Sequence, residues 1–532
     1  MKLYDNYFND YIELTPSLYD CLNLKSYKYL KNKMENPFSS EHIKKQNELH
    51  TLYLNKLNKI RKPNIYDKTL MYICNDTIES NKYNFNLTPI NHQENIIESI
   101  LDMANGNGIY TFNKKKDYDY FIEKMSNFED IVDTIIKCFK KGINKKYTLP
   151  KIMTIKLIDQ LKELIKSKSY YNNNIKFKLN YDFNKKCDSI FIIPIKNLIV
   201  FLEKDYLKHS RTSIGMVSLP NGIREYKYLV KSSTTLPNIT IDTIHNYGKS
   251  EIERIYNKMI IIKNKLGFSG PLSEFNVYLR KKRNLKFKNK KDVLESYKTQ
   301  LKDINKTIMK TQFYNNVKGE CYIIPVPKYN EEFSAEAYYM GGDLYNKRPG
   351  KFYINLKNIK DANKIEIESL TLHEANPGHH YQITYVNENN NIPLFLKCYP
   401  NDAYQEGWAL YCENLGKYKS LESYYGKLVL EMLRALRLVV DTGIHYYGWS
   451  YTKTFKYYKK YSFDSDIEIK DQLYRYIAIP SQALSYKIGE KVILELYKKF
   501  KQSNNYSGST KEFHNKILEH GPIPLELLIE LF

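Results

Sequence analysis

The stretch Thr371-Leu-His-Glu-Ala-Asn-Pro-Gly-His-His-Tyr-Gln382 sets a glutamate beside one histidine and two more histidines after a Pro-Gly step. Without Pro377 and Gly378 it would read His373-Glu374-Ala375-Asn376-His379, the H-E-x-x-H spacing. At that spacing two histidines share one helical face and converge on a metal, and the glutamate between them reaches a water as general base. The two extra residues change the geometry. On an ideal helix residue i+6 lies roughly 120° from i, and i+7 returns to the same face about 10 Å further along. Neither position works on a straight helix. Proline removes a helical hydrogen bond and clashes with the preceding turn, and glycine accepts the unusual angles that follow. The sequence therefore predicts a break at Pro377-Gly378. The break returns His379, rather than His380, to His373 as a second metal ligand, with Glu374 as the base.

A catalytic metal of this kind needs a third protein ligand and an open position. Gln405-Glu-Gly-Trp-Ala-Leu-Tyr-Cys-Glu413 offers it. Glu406, Ala409, Leu410 and Glu413 fall on one face at helical spacing. Two glutamates beside Ala409 and Leu410 are costly unless something pairs them. A metal at Glu406 and a histidine or arginine at Glu413 would do so; two solvated helix acids are the plainer alternative. Two histidines and a glutamate make Zn²⁺ the first choice of cofactor.

These motifs, His373 to Gln382 and Glu406-Gly-Trp-Ala-Leu-Tyr411, resemble the hallmarks of the DUF885 family. Similar patterns continue in Ile214-Gly215, Leu219-Pro-Asn-Gly222, Thr234-Thr235 and His245, and in Arg348-Pro-Gly-Lys-Phe-Tyr-Ile-Asn355. They reappear in Arg437-Leu-Val-Val-Asp-Thr-Gly-Ile-His445, Gly448-Trp449, Arg475-Tyr-Ile-Ala-Ile-Pro480 and Gln482-Ala-Leu-Ser-Tyr-Lys-Ile-Gly489. The resemblance covers roughly residues 205–532, with no convincing match before about 200. It implies a zincin-like zinc metallopeptidase acting on peptides, short ones if the N-terminal part encloses the cleft, in the manner of a carboxypeptidase or dipeptidase. That reaction needs a donor for the oxyanion of the tetrahedral intermediate, and Tyr486 and His445 are the candidates. Arg475 could bind a substrate carboxylate. His380, Glu413 and Asp441 are expected behind the ligands.

The elements that must position these residues read as follows. Residues 1–204 form a divergent, mostly helical region, with helical periodicity at 131–139 and 152–165 and a polar loop at 172–174. In the catalytic region, 205–532, a turn at 219–222 lies between extended segments, and 226–230 reads as a strand. A long helix covers 241–266, ended by Gly267-Phe-Ser-Gly-Pro271. Strands at 321–326 and 351–356 form a small sheet by the active site, and by analogy Phe352-Tyr353-Ile354 is the edge that pairs with substrate. Helices follow at 366–374, 403–418 and 428–445. The last carries Arg434, Arg437, Asp441 and His445; the alternative for that stripe is a surface salt-bridge row. The expected fold class is mainly α with a small sheet, α+β.

The net charge of +23, from 82 basic and 59 acidic residues, raises nucleic acid as a partner. Its sharpest cluster is Arg280-Lys-Lys-Arg-Asn-Leu-Lys-Phe-Lys-Asn-Lys-Lys291. No zinc knuckle, RNP-type aromatic motif or helix-turn-helix stands beside it, and a solvated, lysine-rich loop accounts for it. A non-catalytic metal- or peptide-binding protein on a peptidase scaffold is the other class kept open. Seven widely spaced cysteines without a C-x-x-C argue for a reducing compartment. The N-terminus lacks an apolar signal core, and the most apolar run, 189–202, is shorter than a membrane span. These features predict a soluble intracellular protein in the cytoplasm, or one packaged in a particle made inside cells.

Overall fold

A computed structural model of the chain describes residues 2–106, 108–172, 175, 183–314, 316–328, 331, 335–344, 348–357, 359, 362–502 and 508–532. The described residues are mainly helical with one three-stranded sheet, the α+β composition expected. The chain divides into two compact units. One holds Met1–Tyr228, Pro393–Cys398 and Ile477–Ile479; the other holds Leu229–Ile392, Tyr399–Tyr476 and Pro480–Phe532.

In the first unit, α1 (Phe128–Asn144) buries Ile131, Val132, Ile135, Cys138 and Phe139, a stripe at helical spacing. In α2 (Lys151–Lys166) the same logic buries Met153, Leu157, Ile158 and Leu161. Phe191 of α3 (Phe183–Phe201) meets Phe128 edge-on, with ring centroids 4.9 Å apart. Of the expected polar loop, Asn172 lies outside any helix, and residues 173 and 174 fall outside the described residues.

The expected strand at 226–230 is instead part of α4 (Gly222–Thr234). Tyr226, Tyr228 and Val230 suit a strand by propensity, but all three are buried in helical conformation, so tertiary packing overrides the β preference. The extended segments expected around the 219–222 turn are therefore absent on its downstream side.

The second unit carries the site. It contains α5 (Ile241–Lys265), α6 (Lys290–Ile304), β1 (Cys321–Pro325), β2 (Ala337–Met340) and β3 (Gly350–Ile354). Then come α7 (Ile367–Glu374), α8 (His379–Glu388), α9 (Asp402–Glu413), α10 (Leu421–His445), α11 (Asp466–Ala478) and α12 (Ser485–Lys501). The helix expected over 403–418 stops at Glu413. Tyr418 adopts a positive φ of 39°, and its hydroxyl returns to the Glu413 carbonyl at 2.6 Å.

The sheet order is β1-β3-β2, with β1 parallel and β2 antiparallel to β3. This corrects the edge assignment: β3 is central, both of its ladders are taken, and Phe352-Tyr353-Ile354 has no free edge for a peptide. Ile323, Phe352 and Ile354 face one core with Val293 and Tyr297 of α6 and Ile367 and Leu370 of α7. Each such side chain contributes about 1.5–3 kcal/mol on burial. That core seats α7 against the sheet. No helix among the described residues is long and apolar enough to cross a membrane.

Candidate metal centre

The break after α7 brings two histidines to one point. α7 ends at Glu374, Asn376-Pro377 is a cis peptide, and α8 begins at His379. Gly378 is needed because of close approach. A Cβ there would lie 1.9 Å from the His373 carbonyl oxygen. The loop is held from outside by α9, whose Trp408 donates its indole N–H to the Pro377 carbonyl at 2.8 Å. The two motifs thus meet at a hydrogen bond as well as at the ligands.

His373, His379 and Glu406 form the only group of metal-ligating side chains found among the described residues, with ligand atoms within 4.8 Å of one another. Glu406 Oε2 lies 3.3 Å from His373 Nε2 and 3.4 Å from His379 Nε2. It is buried at that atom and makes a well-formed hydrogen bond to neither ring. Burial would raise the Glu406 carboxyl, but the His379 and His373 imidazoles hold it well below the ordinary range.

Behind the ligands stands Glu413. Its Oε1 is 2.9 Å from His373 Nδ1, its Oε2 accepts from Ser369 Oγ at 2.8 Å, and Arg434 lies 3.6 Å from Oε1. The carboxylate accepts the Nδ1 hydrogen of His373, which turns Nε2 toward Glu406 and His379; in the neutral ring that a metal would select, Nε2 carries the lone pair. Burial works against a charged ring, yet Glu406 and Glu413 together raise His373 to about 9. An orphaned buried carboxylate oxygen and a pre-oriented imidazole are what a His₂Glu metal site requires. The donor set fits zinc.

His380 does not join this group. Tyr339 of β2 lies 2.9 Å from its Nδ1 and the Gly319 carbonyl 3.1 Å from its Nε2, and burial pushes it down to about 4. It ties α8 to the sheet. Glu374 is buried at the end of α7, beside His373 in sequence.

Tyr486 and Arg475 meet in a second polar cluster. Arg475 donates to the Tyr486 hydroxyl at 3.0 Å and to Gln482 at 2.9 Å, and Gln482 donates to Asp402 at 3.0 Å. Asp402 is raised by burial and then by Glu406, which connects this cluster to the candidate ligand one turn on. The Arg437 guanidinium lies over the Tyr486 ring, 4.3 Å from its centroid. Both Asp441 oxygens accept from the Ser481 amide at 3.1 Å, fixing the turn that leads to Tyr486. His445, the other oxyanion candidate, lies elsewhere in the packing. It is fully buried, and its Nε2 meets the Tyr476 carbonyl at 2.8 Å, so it joins α10 to α11. Arg434, Arg437, Asp441 and His445 are all buried rather than a surface salt-bridge row.

Sequence reasoning expected a histidine or arginine at Glu413 without naming His373 or Arg434 for it, and it missed Ser369, Asp402 and Trp408. The only available signal was Trp408, a tryptophan two residues after the ligand in a chain with two tryptophans. In the basic run, Arg280 donates to the Phe463 carbonyl at 2.9 Å, Lys282 pairs with Glu422 at 2.7 Å and Lys290 with Glu331 at 3.6 Å.

Residues 22–531 match the family model described as "Bacterial protein of unknown function (DUF885)". The match starts well before residue 205, so the N-terminal region shares the family pattern too. Two solved structures share the fold. One, a "putative lipoprotein" from Colwellia psychrerythraea, superposes with a TM-score of 0.87 at 22% identity, covering 99% of this chain and 98% of that one. The other, a "putative lipoprotein of unknown function" from Shewanella oneidensis, gives 0.74 at 16% identity with the same coverages. No curated protein matches. The expectation of a soluble cytoplasmic protein is corrected by these two structures of the same fold, both described as putative lipoproteins.

Proposed function

The chain belongs to the DUF885 family, and on that footing we propose that it is a zinc-dependent peptidase of zincin-like architecture. The observation that carries this reading is the convergence of His373, His379 and Glu406 around a buried, unbonded carboxylate oxygen, with Glu374 next to His373 in the chain and acting on its charge. His373, His379 and Glu406 would hold the metal, which when bound supplies activation of water and polarisation of the scissile carbonyl. Glu374 takes a proton from the attacking water onto its carboxylate and returns it to the leaving amine nitrogen as the C–N bond breaks. Tyr486 accepts from Arg475, which leaves its own O–H to donate to the oxyanion. Arg475 orients that phenol and presents a guanidinium able to take a substrate carboxylate. Short peptides are the proposed substrates. Of the sheet's two outer strands, β2 runs antiparallel to β3 and packs near α7, so its outer ladder suits an extended peptide.

Replacing Glu374 by Gln tests the reading. Hydrolysis of a mixed peptide library is expected to fall by about 10²–10⁴-fold while the metal content stays at the wild-type level. Unchanged hydrolysis with the metal still bound would overturn it.

A further inference from the structure

A cleft of about 320 Å³ opens beside the N-terminal end of α7, within the second unit. Glu336, Glu366, Asp464 and Glu468 line it, in a chain whose net charge is strongly positive. Two cations line it too: Arg280, engaged by the Phe463 carbonyl at 2.9 Å and by Glu468 at 3.7 Å, and Lys357, which forms no ion pair with Glu336 or Glu366 within 4 Å. Asp464 accepts from Tyr458 and Glu468 from the Ser465 amide. Among the described residues the Glu336 and Glu366 carboxylates have neither a hydrogen bond nor an ion pair within 4 Å. Glu336 stands at the exposed rim of the cleft, whereas Glu366 is half-buried, and burial and then Glu336 and Asp464 push it well above the usual range against the pull of Arg280 and Arg434. Like charges gathered this way are costly unless a cation joins them.

A second observation points to a ligand. Asn276 lines the same cleft and is 7% exposed. Tyr425 donates to its Oδ1 at 2.5 Å, which fixes the amide, and its Nδ2 is buried with no acceptor among the described residues. A buried amide donor without a partner costs about 1–3 kcal/mol. A bare metal ion answers neither need. The acids do not converge into a metal-binding group, since the only such group among the described residues is that of His373. An N–H donor would also repel a cation placed against it. The occupant must present an organic cation and, beside it, an oxygen acceptor.

We propose that this cleft is a subsite for a basic peptide side chain, an ammonium or guanidinium received by Glu336 and Glu366, with a main-chain carbonyl of the same ligand accepting from Asn276 Nδ2. Glu366 and Glu374 are eight residues apart, about 12 Å along a helix. An extended peptide spans that distance in three to four residues, at about 3.3 Å each. The basic side chain would therefore sit three or four positions from the cleaved bond. That last placement rests on the peptidase reading; the cation site does not.

Calorimetric titration of the full-length protein with N-acetyl-arginine amide and N-acetyl-citrulline amide separates the two. Both probes offer carbonyls, and only the first carries a charge. The arginine probe is expected to bind at least about tenfold more tightly. In Glu336→Gln/Glu366→Gln the preference should fall within about twofold, with metal content at the wild-type level. Equal binding of the probes, a preference that survives the double substitution, or calcium binding to these acids without arginine preference would each overturn the proposal. A protein that hydrolyses no peptide yet prefers arginine would leave this site standing and remove the peptidase reading alone.

Discussion

Glu413 is the residue on which the orientation of the centre depends. Its carboxylate holds His373 Nδ1 from behind and is itself held by Ser369 and Arg434. Removing its charge leaves the imidazole free to turn and Arg434 without its anion. In Glu413→Gln the affinity for zinc, measured by competition with a chromophoric chelator, should drop about 10–100-fold. An unchanged affinity would mean that the ring is held by packing alone. At this scale the sequence was legible where local spacing encodes proximity. His373, Glu374 and His379 lie on one short segment, and Glu406 and Glu413 are two turns apart on one helix. It was silent where contact depends on tertiary packing. Nothing in the spacing ties Arg434 to Glu413, or Arg475 to Tyr486, because the helices that carry them are brought together only by the core. His445 shows the converse. It lay on the same stripe as Arg437 and Asp441, but the helical face it shares with them packs on α11.

Among the elements, the break between α7 and α8 does what an unbroken helix could not. It depends on Gly378 and on the Trp408 hydrogen bond to Pro377. A methyl group at 378 would lie 1.9 Å from the His373 carbonyl, so Gly378→Ala must push α7 and α8 apart. We expect a loss of about 1–3 kcal/mol in stability, read by thermal unfolding, together with a lower zinc content. Wild-type stability and zinc content in this variant would contradict the geometry. The glutamate helix α9 reaches its place by a close crossing with α12. A Cβ on Gly489 would lie 2.0 Å from the Ala403 carbonyl oxygen, and one on Gly407 2.5 Å from Gly489. The break at Pro377-Gly378 was legible because proline and glycine act locally. The strand order was not, because nothing in the pattern of 350–354 distinguishes a central strand from an edge when the sheet has three short strands. The 226–230 strand failed for a related reason: alternating tyrosines and valine fit either period, and burial chose the helix.

Across the whole molecule, the second unit carries a buried charge network outside the candidate metal centre. Lys487 is 1% exposed and pairs with Glu431 at 2.8 Å, Glu490 at 2.6 Å and Glu251 at 3.1 Å. Lys427 and Arg254 also contact Glu431. These charges join α5, α10 and α12, and α12 is the helix that packs most closely on α9. Lys487→Met keeps the volume and leaves three buried carboxylates short of a cation. It should destabilise the protein by about 3–5 kcal/mol in urea unfolding; a change below about 1 kcal/mol would show that the neighbouring cations compensate. The overall basic charge had suggested nucleic acid, yet Arg280, Lys282 and Lys290 of the sharpest basic run are spent on carbonyl and carboxylate partners within the fold. The family match from residue 22 likewise shows more of the chain to be shared than its motifs revealed, because the N-terminal helices keep their burial pattern without any chemical signature to mark them.

Metal content tests the centre most directly. The wild-type protein, freshly purified and supplied with zinc, would be analysed by inductively coupled plasma mass spectrometry beside His373→Ala and Glu406→Ala. About one zinc per chain in the wild type, lost in both variants, is the expected result. No zinc in the wild type, or zinc retained by both variants, would contradict a metal held by His373, His379 and Glu406.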